Sequence, residues 1–308
     1  MLTMATNTVE YLPMSPPDLA VELDDSSFAS LDDSFKETDY DHGRNFSTRC
    51  RNRHPFPVDA CEQERQRRQF DSYYKLFQGR LCPASATAAR SVLDVNTGAG
   101  CWAIEFAAQY PSSRVWGIDT VYMQEKWVTE NCDFYLERSL HQPEWYYPYK
   151  GVDLIHIGTL WGDRQLLACL LDGAYDCCSP GGTVEMWDST VHFPDPHGEG
   201  PLHRLYKDMR EAYRIDGRSL DLPKLYLSEM EDRGFVEVAE HVRQFPLSMN
   251  VEEPARSVLE SWADGLEAYS LELLVKHLGK RDLDVLLSCA TARQALRRGE
   301  GVEGFLQM

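Results

Sequence analysis

Basic residues are in short supply in this 308-residue chain: 31 Lys and Arg stand against 49 Asp and Glu, for a formal net charge of −18. A phosphate-binding surface draws its affinity from excess Lys and Arg, so nucleic acid is excluded as the main partner. Long apolar runs are missing too. No stretch of 18 or more apolar residues occurs, and no membrane span is expected. The N-terminus has no basic segment leading into an apolar one, as a secretory signal would. The chain therefore reads as cytoplasmic or nuclear. Its nine cysteines show neither CxxC nor Cys/His ligand spacing, so free thiols are expected, without disulfides or a metal site. No internal repeat is visible.

Hydrophobic residues make up 43% of the chain, enough for the core of one large α/β domain or two small ones. The charge is uneven. Residues 1–41 carry ten acids against one base, Lys36, together with Pro13, Pro16 and Pro17 and little periodicity. That composition predicts a disordered acidic tail, with docking of a basic protein partner as its functional alternative. Residues 42–90 read as a helical cover. Seven arginines fall in 44–68, expected on a solvated helix face. Phe70, Tyr73, Tyr74 and Phe77 recur at helical spacing over Glu62–Phe77. Residues 91–250 read as the main domain, and 251–308 as a C-terminal helical region that completes it.

The main domain opens with a short apolar run, Val92–Val95, then Asn96-Thr97-Gly98-Ala99-Gly100. A helix follows, with Ala103, Phe106, Ala107 and Tyr110 on one face, stopped by Pro111. Val115–Asp119 is a second strand ending in an acid. This is a βαβ unit within about 30 residues. The alternation continues with a strand at Val152–Ile157, a helix at Gln165–Asp176, a turn at Pro180-Gly181-Gly182 and a strand at Thr183–Trp187. A helix marked by Leu202, Leu205, Tyr206, Met209 and Tyr213 comes next, then one capped at Gly234, then a strand at Val236–Phe245. Two helical stretches fill Ala255 to Arg298. The pattern predicts an α/β fold with a Rossmann-like, doubly wound, mostly parallel sheet.

Glycines after the first strand let a ligand approach the backbone, and the following helix N-terminus offers free N–H groups. An acid ending the second strand can accept both hydroxyls of a ribose. The turn is not G-x-G-x-x-G, which weakens a dinucleotide reading. Asp94, just before the turn, would repel a pyrophosphate but could engage an amino group. A dinucleotide oxidoreductase therefore ranks last.

The segment Leu93–Asp119, LDVNTGAGCWAIEFAAQYPSSRVWGID, resembles the S-adenosylmethionine (SAM) motif of class I methyltransferases. More narrowly it is similar to the fungal LaeA-like group. Asp41-His42-Gly43-Arg44 with Asp59 to Phe77, Asp153-Leu154-Ile155-His156, Pro180-Gly181-Gly182 with Glu185, and Gly265-Leu266-Glu267-Ala268 extend the likeness over roughly residues 40–298. The resemblance implies a class I methyltransferase fold and SAM as cofactor. It implies that Asp94, Asn96, Gly98 and Gly100 line the methionine end of SAM, that Asp119 takes the ribose and that Glu137 sits beside the adenine. Asn96 stands where the group usually has Gly, although Asn tolerates left-handed φ. Arg138 stands where an acid is common, and the last strand is expected to be short or missing.

Methyl transfer from a sulfonium needs alignment and desolvation more than covalent help. Where the acceptor must lose a proton, the candidate bases are His156, ending the fourth strand, and His192, in a Pro/Gly-rich loop expected to overhang the cleft. Glu185 and Asp188 could orient substrate or cap the next element. Trp102, Trp116, Trp145, Trp161 and Trp187 are expected in core or cleft wall; clustered at the site, they would favour a flat aromatic acceptor. Glu144-Trp145-Tyr146-Tyr147 reads as packing. Two functions follow from the resemblance. One is methylation of O or N on a small molecule in fungal secondary metabolism. The other is a LaeA-like regulator in a nuclear protein complex, with catalysis secondary.

Overall fold

The computed structural model describes residues 33–126, 128–142, 149–195, 198–299 and 304–308. The expected tail thus lies outside the described residues for positions 1–32, as does Glu144-Trp145-Tyr146-Tyr147. Its last four residues, however, are ordered. β1 (Thr38–Asp41) pairs antiparallel with β2 (Arg44–Ser47). The two residues between them, His42 and Gly43, take φ of 51° and 79°, as a tight I′-type hairpin turn requires. The acidic composition hid that turn, and the tail boundary moves back accordingly.

Asp59 then caps α1 (Ala60–Leu76) by accepting the Glu62 N–H at 3.0 Å, and also pairs with Arg44. The arginines of this region are not a solvated face. Arg65 is buried against Glu62, and Arg51 bridges Asp41 and Glu272. Of the seven, Arg53, Arg67 and Arg68 are exposed, and only the last two lie on α1.

The core is built from β3 (Ser91–Val95), α2 (Cys101–Gln109), β4 (Arg114–Asp119), β5 (Cys132–Leu136), β6 (Val152–Ile157), α3 (Arg164–Cys177) and β7 (Cys178–Met186). The five strands form one parallel sheet in the order β5-β4-β3-β6-β7. The order reverses direction at β3, and the loops after β3 and β6 face each other across that switch point. This is the Rossmann-like parallel sheet that the alternation of strands and helices predicts. Apolar residues of β3 and β6 pack on α3 on one face (Leu93, Ile155, Leu167, Leu170) and on α2 on the other (Val92, Leu154, Phe106).

Pro180-Gly181-Gly182 is not a separate turn. β7 runs through it with a register shift opposite Val152–Leu154, and Gly181 takes φ +79°. A bulge of this kind tolerates a proline that cannot donate to the ladder.

After β8 (Thr190–His192), α4 (Pro201–Ile215) and α5 (Tyr226–Asp232), the expected strand at Val236–Phe245 shrinks to β9 (Gln244–Pro246). Val236 and Val242 are exposed, and Glu237 takes φ +56°. The apolar alternation there has no second layer to bury it. The C-terminal region holds three helices rather than two: α6 (Ala255–Asp264), α7 (Leu266–Leu278) and α8 (Asp282–Arg298). Gly265 lies between the first pair, where a Cβ would sit 2.2 Å from the Tyr269 ring. The short last strand, β10 (Phe305–Gln307), joins β8 and β9 in a separate antiparallel sheet. With α4, α6, α7 and α8 it encloses a second apolar core, which includes Trp262, Leu266 and Tyr269. All nine cysteines are free. Among the described residues, no helix is long and apolar enough to cross a membrane.

Candidate active site

Two adjoining cavities open at the carboxyl ends of β3, β4 and β6. The larger, about 120 Å³, is lined by Asp94, Asn96, Gly98, Asp119 and His156 from the sheet side and by Gln66, Phe70 and Tyr73 from α1. The smaller, about 30 Å³, is lined by Thr120, Leu140, Leu160 and Leu166 among others. His54, Asn96 and Trp161 line both. The sheet thus brings together five of the eight site residues expected from sequence. The other three do not line either cavity.

The glycine loop explains itself through its hydrogen bonds. Asn96, Gly98 and Gly100 all have positive φ (60°, 58° and 82°). Asn96 keeps the backbone shape that Gly would have, and its amide donates to the Thr159 carbonyl at 2.7 Å, tying the loop after β3 to the loop after β6. Each successive N–H has a partner within the protein. Thr97 donates to Ile118 O, Gly98 to Asp119 Oδ2, Ala99 to Gln66 Oε1 and Gly100 to Thr97 O. Gly100 serves packing: a Cβ would lie 2.3 Å from the Phe134 ring. It caps α2 and does not line the cavities.

Asp119 is 2% exposed. Its carboxylate accepts from Gly98 N at 2.7 Å, Thr120 N at 2.6 Å and Val121 N at 3.1 Å. Asp94, 1% exposed, accepts from the Thr97 hydroxyl and faces His156 across the β3–β6 register. His156 is held from both sides. Its ring stacks on Trp102 at 4.1 Å with a 5° tilt, and Nδ1 meets Glu185 Oε1 at 2.9 Å. Glu185 therefore fixes a ring that borders the cleft. Asp188 is a cap: it accepts from Leu160 N, Ser189 N and the Tyr226 hydroxyl.

His192 is exposed on β8, opposite Phe305, and not in an overhanging loop. Residues 190–192 are drawn into the small antiparallel sheet, which removes the ring from the cleft. The Glu137 backbone is engaged, its N–H by Asp119 O and its carbonyl by Arg49; burial pushes its carboxyl up. Arg138 does border the smaller cavity. Sequence reasoning missed Gln66, which caps the loop from α1. The signal was present: Glu62, Gln66, Gln69 and Tyr73 lie on one helical face beside the aromatic one.

Burial pushes the Asp94, Asp119 and Asp188 carboxyls up to about 6. The folded state holds these protons more tightly than the unfolded chain. Their contribution to stability is therefore full below about pH 4 and is lost as pH rises through about 6. Each shift corresponds to on the order of 2–3 kcal/mol. Asp94→Asn, which cannot ionise, is expected to raise the melting temperature of the unliganded protein at pH 7 and to leave it nearly unchanged at pH 4. Thermal melts at the two pH values decide it; an equal change at both would refute the assignment.

A family model described as a methyltransferase domain matches residues 62–244, from α1 to the start of β9. Methyltransferase pytC of Aspergillus terreus is 25% identical over 310 residues, covering 94% of this chain and 94% of that protein. Secondary metabolism regulator laeA of Aspergillus niger is 32% identical over 249 residues, covering 76% of this chain and 64% of that one. Among solved structures, a SAM-dependent methyltransferase from Geobacter sulfurreducens in complex with S-adenosyl-L-homocysteine is similar with TM-score 0.42 and 13% identity, over 73% of this chain and 86% of that one. The matched segment covers more than half of the chain and contains the glycine loop, Asp119 and α1, and on that ground the chain belongs to the methyltransferase-domain family.

Proposed function

We propose that this enzyme uses SAM to methylate an oxygen or nitrogen of a small, flat aromatic acceptor in fungal secondary metabolism. The observation that carries the reading is the pair of cavities that share Asn96, His54 and Trp161: one holds buried carboxylates, and the other has Leu140, Leu160 and Leu166 among its walls. That donor set fits the cofactor. Asp94 suits its ammonium group, and Leu140, Leu160 and Leu166 suit the adenine. Asp119 has three of its roughly four acceptor positions filled by backbone N–H groups. It therefore has room for one ribose hydroxyl, not the two expected from sequence. Bound there, SAM supplies an electrophilic methyl group. The chain's own part is to align the acceptor and exclude water.

Phe70, Tyr73, Trp102, Trp161 and Trp187 supply the cleft walls. Such surfaces favour a flat ring, held face-on or edge-on. His156 borders the same space and remains the candidate proton acceptor for it. The regulator reading has a relative named for that role. The small-molecule reading leads because the cleft is walled by aromatic rings.

Calorimetric titration with S-adenosylhomocysteine tests the cofactor assignment. Micromolar binding is the expected outcome. No binding at millimolar ligand, with the protein folded by circular dichroism, would remove the assignment.

A further inference from the structure

His54 belongs to the loop between β2 and α1, outside every motif that the sequence singled out. The turn is fixed: the Arg53 and His54 N–H groups both donate to Cys50 O, at 2.8 and 2.7 Å. The ring stands edge-on to Phe56, at 5.4 Å and 83°, and Phe56 stacks on Trp161 at 4.4 Å. His54 lines both cavities. Its Nε2 is buried and, among the described residues, has no hydrogen-bond partner. Buried polar atoms in native proteins are nearly always paired, so an orphan on a residue that lines the cleft points to a group that arrives with the ligand.

Burial and the charge of Arg218 hold the imidazole down to about 3. The ring is therefore neutral at working pH. A neutral imidazole with its proton on Nδ1 presents a lone pair at Nε2. That nitrogen accepts a hydrogen bond from an O–H and has no charge to offer an anion.

We propose that His54 Nε2 binds the hydroxyl of an aromatic acceptor seated in the larger cavity, where Trp161 forms a wall for the ring. The inference rests on the small-molecule reading above. It adds the residue that selects a ring bearing a hydroxyl over the same ring without a free O–H, and it places that residue on the N-terminal cover rather than on the sheet.

The test compares 1-naphthol with 1-methoxynaphthalene, which has the same ring but no O–H donor. Each is titrated calorimetrically into the full chain saturated with S-adenosylhomocysteine. In the native protein, naphthol is expected to bind roughly tenfold tighter than its methyl ether, the worth of one neutral hydrogen bond. His54→Phe should erase that preference, bringing naphthol down to the affinity of its methyl ether. His54→Gln, which keeps an acceptor oxygen and is the milder change should the Phe variant fail to fold, should retain part of it. Three outcomes overturn the proposal. The preference survives in His54→Phe; or neither naphthalene binds although S-adenosylhomocysteine does; or His54→Phe weakens S-adenosylhomocysteine itself, which would make His54 a cofactor contact. Failure of S-adenosylhomocysteine to bind the native protein is a separate result, and it overturns the cofactor reading together with this one.

Discussion

Asp119→Ala is expected to weaken binding of S-adenosylhomocysteine by about a hundredfold or more and, in the same protein, to lower the melting temperature without ligand. The first effect alone would follow from a carboxylate that only contacts a ribose. The second follows from what Asp119 does inside the protein. Its two oxygens take the N–H groups of Gly98, Thr120 and Val121. Leaving a buried donor unpaired costs on the order of 1–3 kcal/mol. Against this stands the relief of a buried carboxylate whose pKa is pushed up to about 6. The net loss expected is about 2 kcal/mol. The larger consequence is geometric. Gly98 is held at positive φ between Asp119 on one side and the Gln124 amide on its carbonyl at 2.8 Å. Without Asp119 the loop loses its anchor to β4, and an affinity loss of about a hundredfold or more is expected from the combined loss of contact and shape. Asp119→Asn separates the two accounts. One oxygen remains to accept, so the melting temperature should fall less and binding should weaken by about tenfold. If both variants lose affinity equally and neither changes the melting temperature, Asp119 is a ligand contact alone.

How far these positions were legible depends on whether their cause is local. Val92–Val95, the glycine turn and Val115–Asp119 write themselves into adjacent residues, because strand, turn and helix periods alternate there. The parallel sheet followed from them, and so did the placement of Asp94, Asn96, Gly98 and Asp119 at one end of it. Gly100 had a local signal of the same kind but a distant cause, the Phe134 ring on β5. Nothing near residue 100 announces that ring. His192 failed for a similar reason: a Pro/Gly-rich context suggests a loop, but pairing with Phe305, 113 positions on, makes it a strand. Val236–Phe245 has the right alternation and lacks a layer to bury it. His54 had no periodicity to betray it at all. Its importance lies in an unpaired atom, which only the packing of the cover onto the sheet creates.

The arginines of the cover show the same limit and lead to the strongest stability effect expected for this protein. Sequence placed Arg65 on a solvated face. In the structure its side chain and that of Glu62 are almost wholly buried. Arg65 Nε and Nη2 meet the two Glu62 oxygens at 2.9 and 2.6 Å. The remaining Nη1 donates to Gln69 Oε1 at 2.8 Å and to the Tyr269 hydroxyl on α7 at 2.9 Å. The pair thus joins α1 to the C-terminal bundle directly behind Gln66, whose amide nitrogen also donates to Glu62. Glu62→Leu leaves the guanidinium buried without its counter-charge. A buried pair broken on one side costs about 3–5 kcal/mol, which for a domain of this size lowers the melting temperature by roughly 10 °C. The double variant Glu62→Leu with Arg65→Met replaces the pair by apolar groups of similar volume, and it should recover most of that loss, because neither charge then has to be desolvated. Recovery should not extend to the cofactor site. Gln66 loses its Glu62 anchor in both variants and with it the fixed approach to Ala99 N–H, so both should bind S-adenosylhomocysteine more weakly than the native protein. Chemical denaturation of the three proteins, with calorimetry on each, separates the two roles. A double variant as unstable as Glu62→Leu would show that the ion pair is not what holds α1 in place.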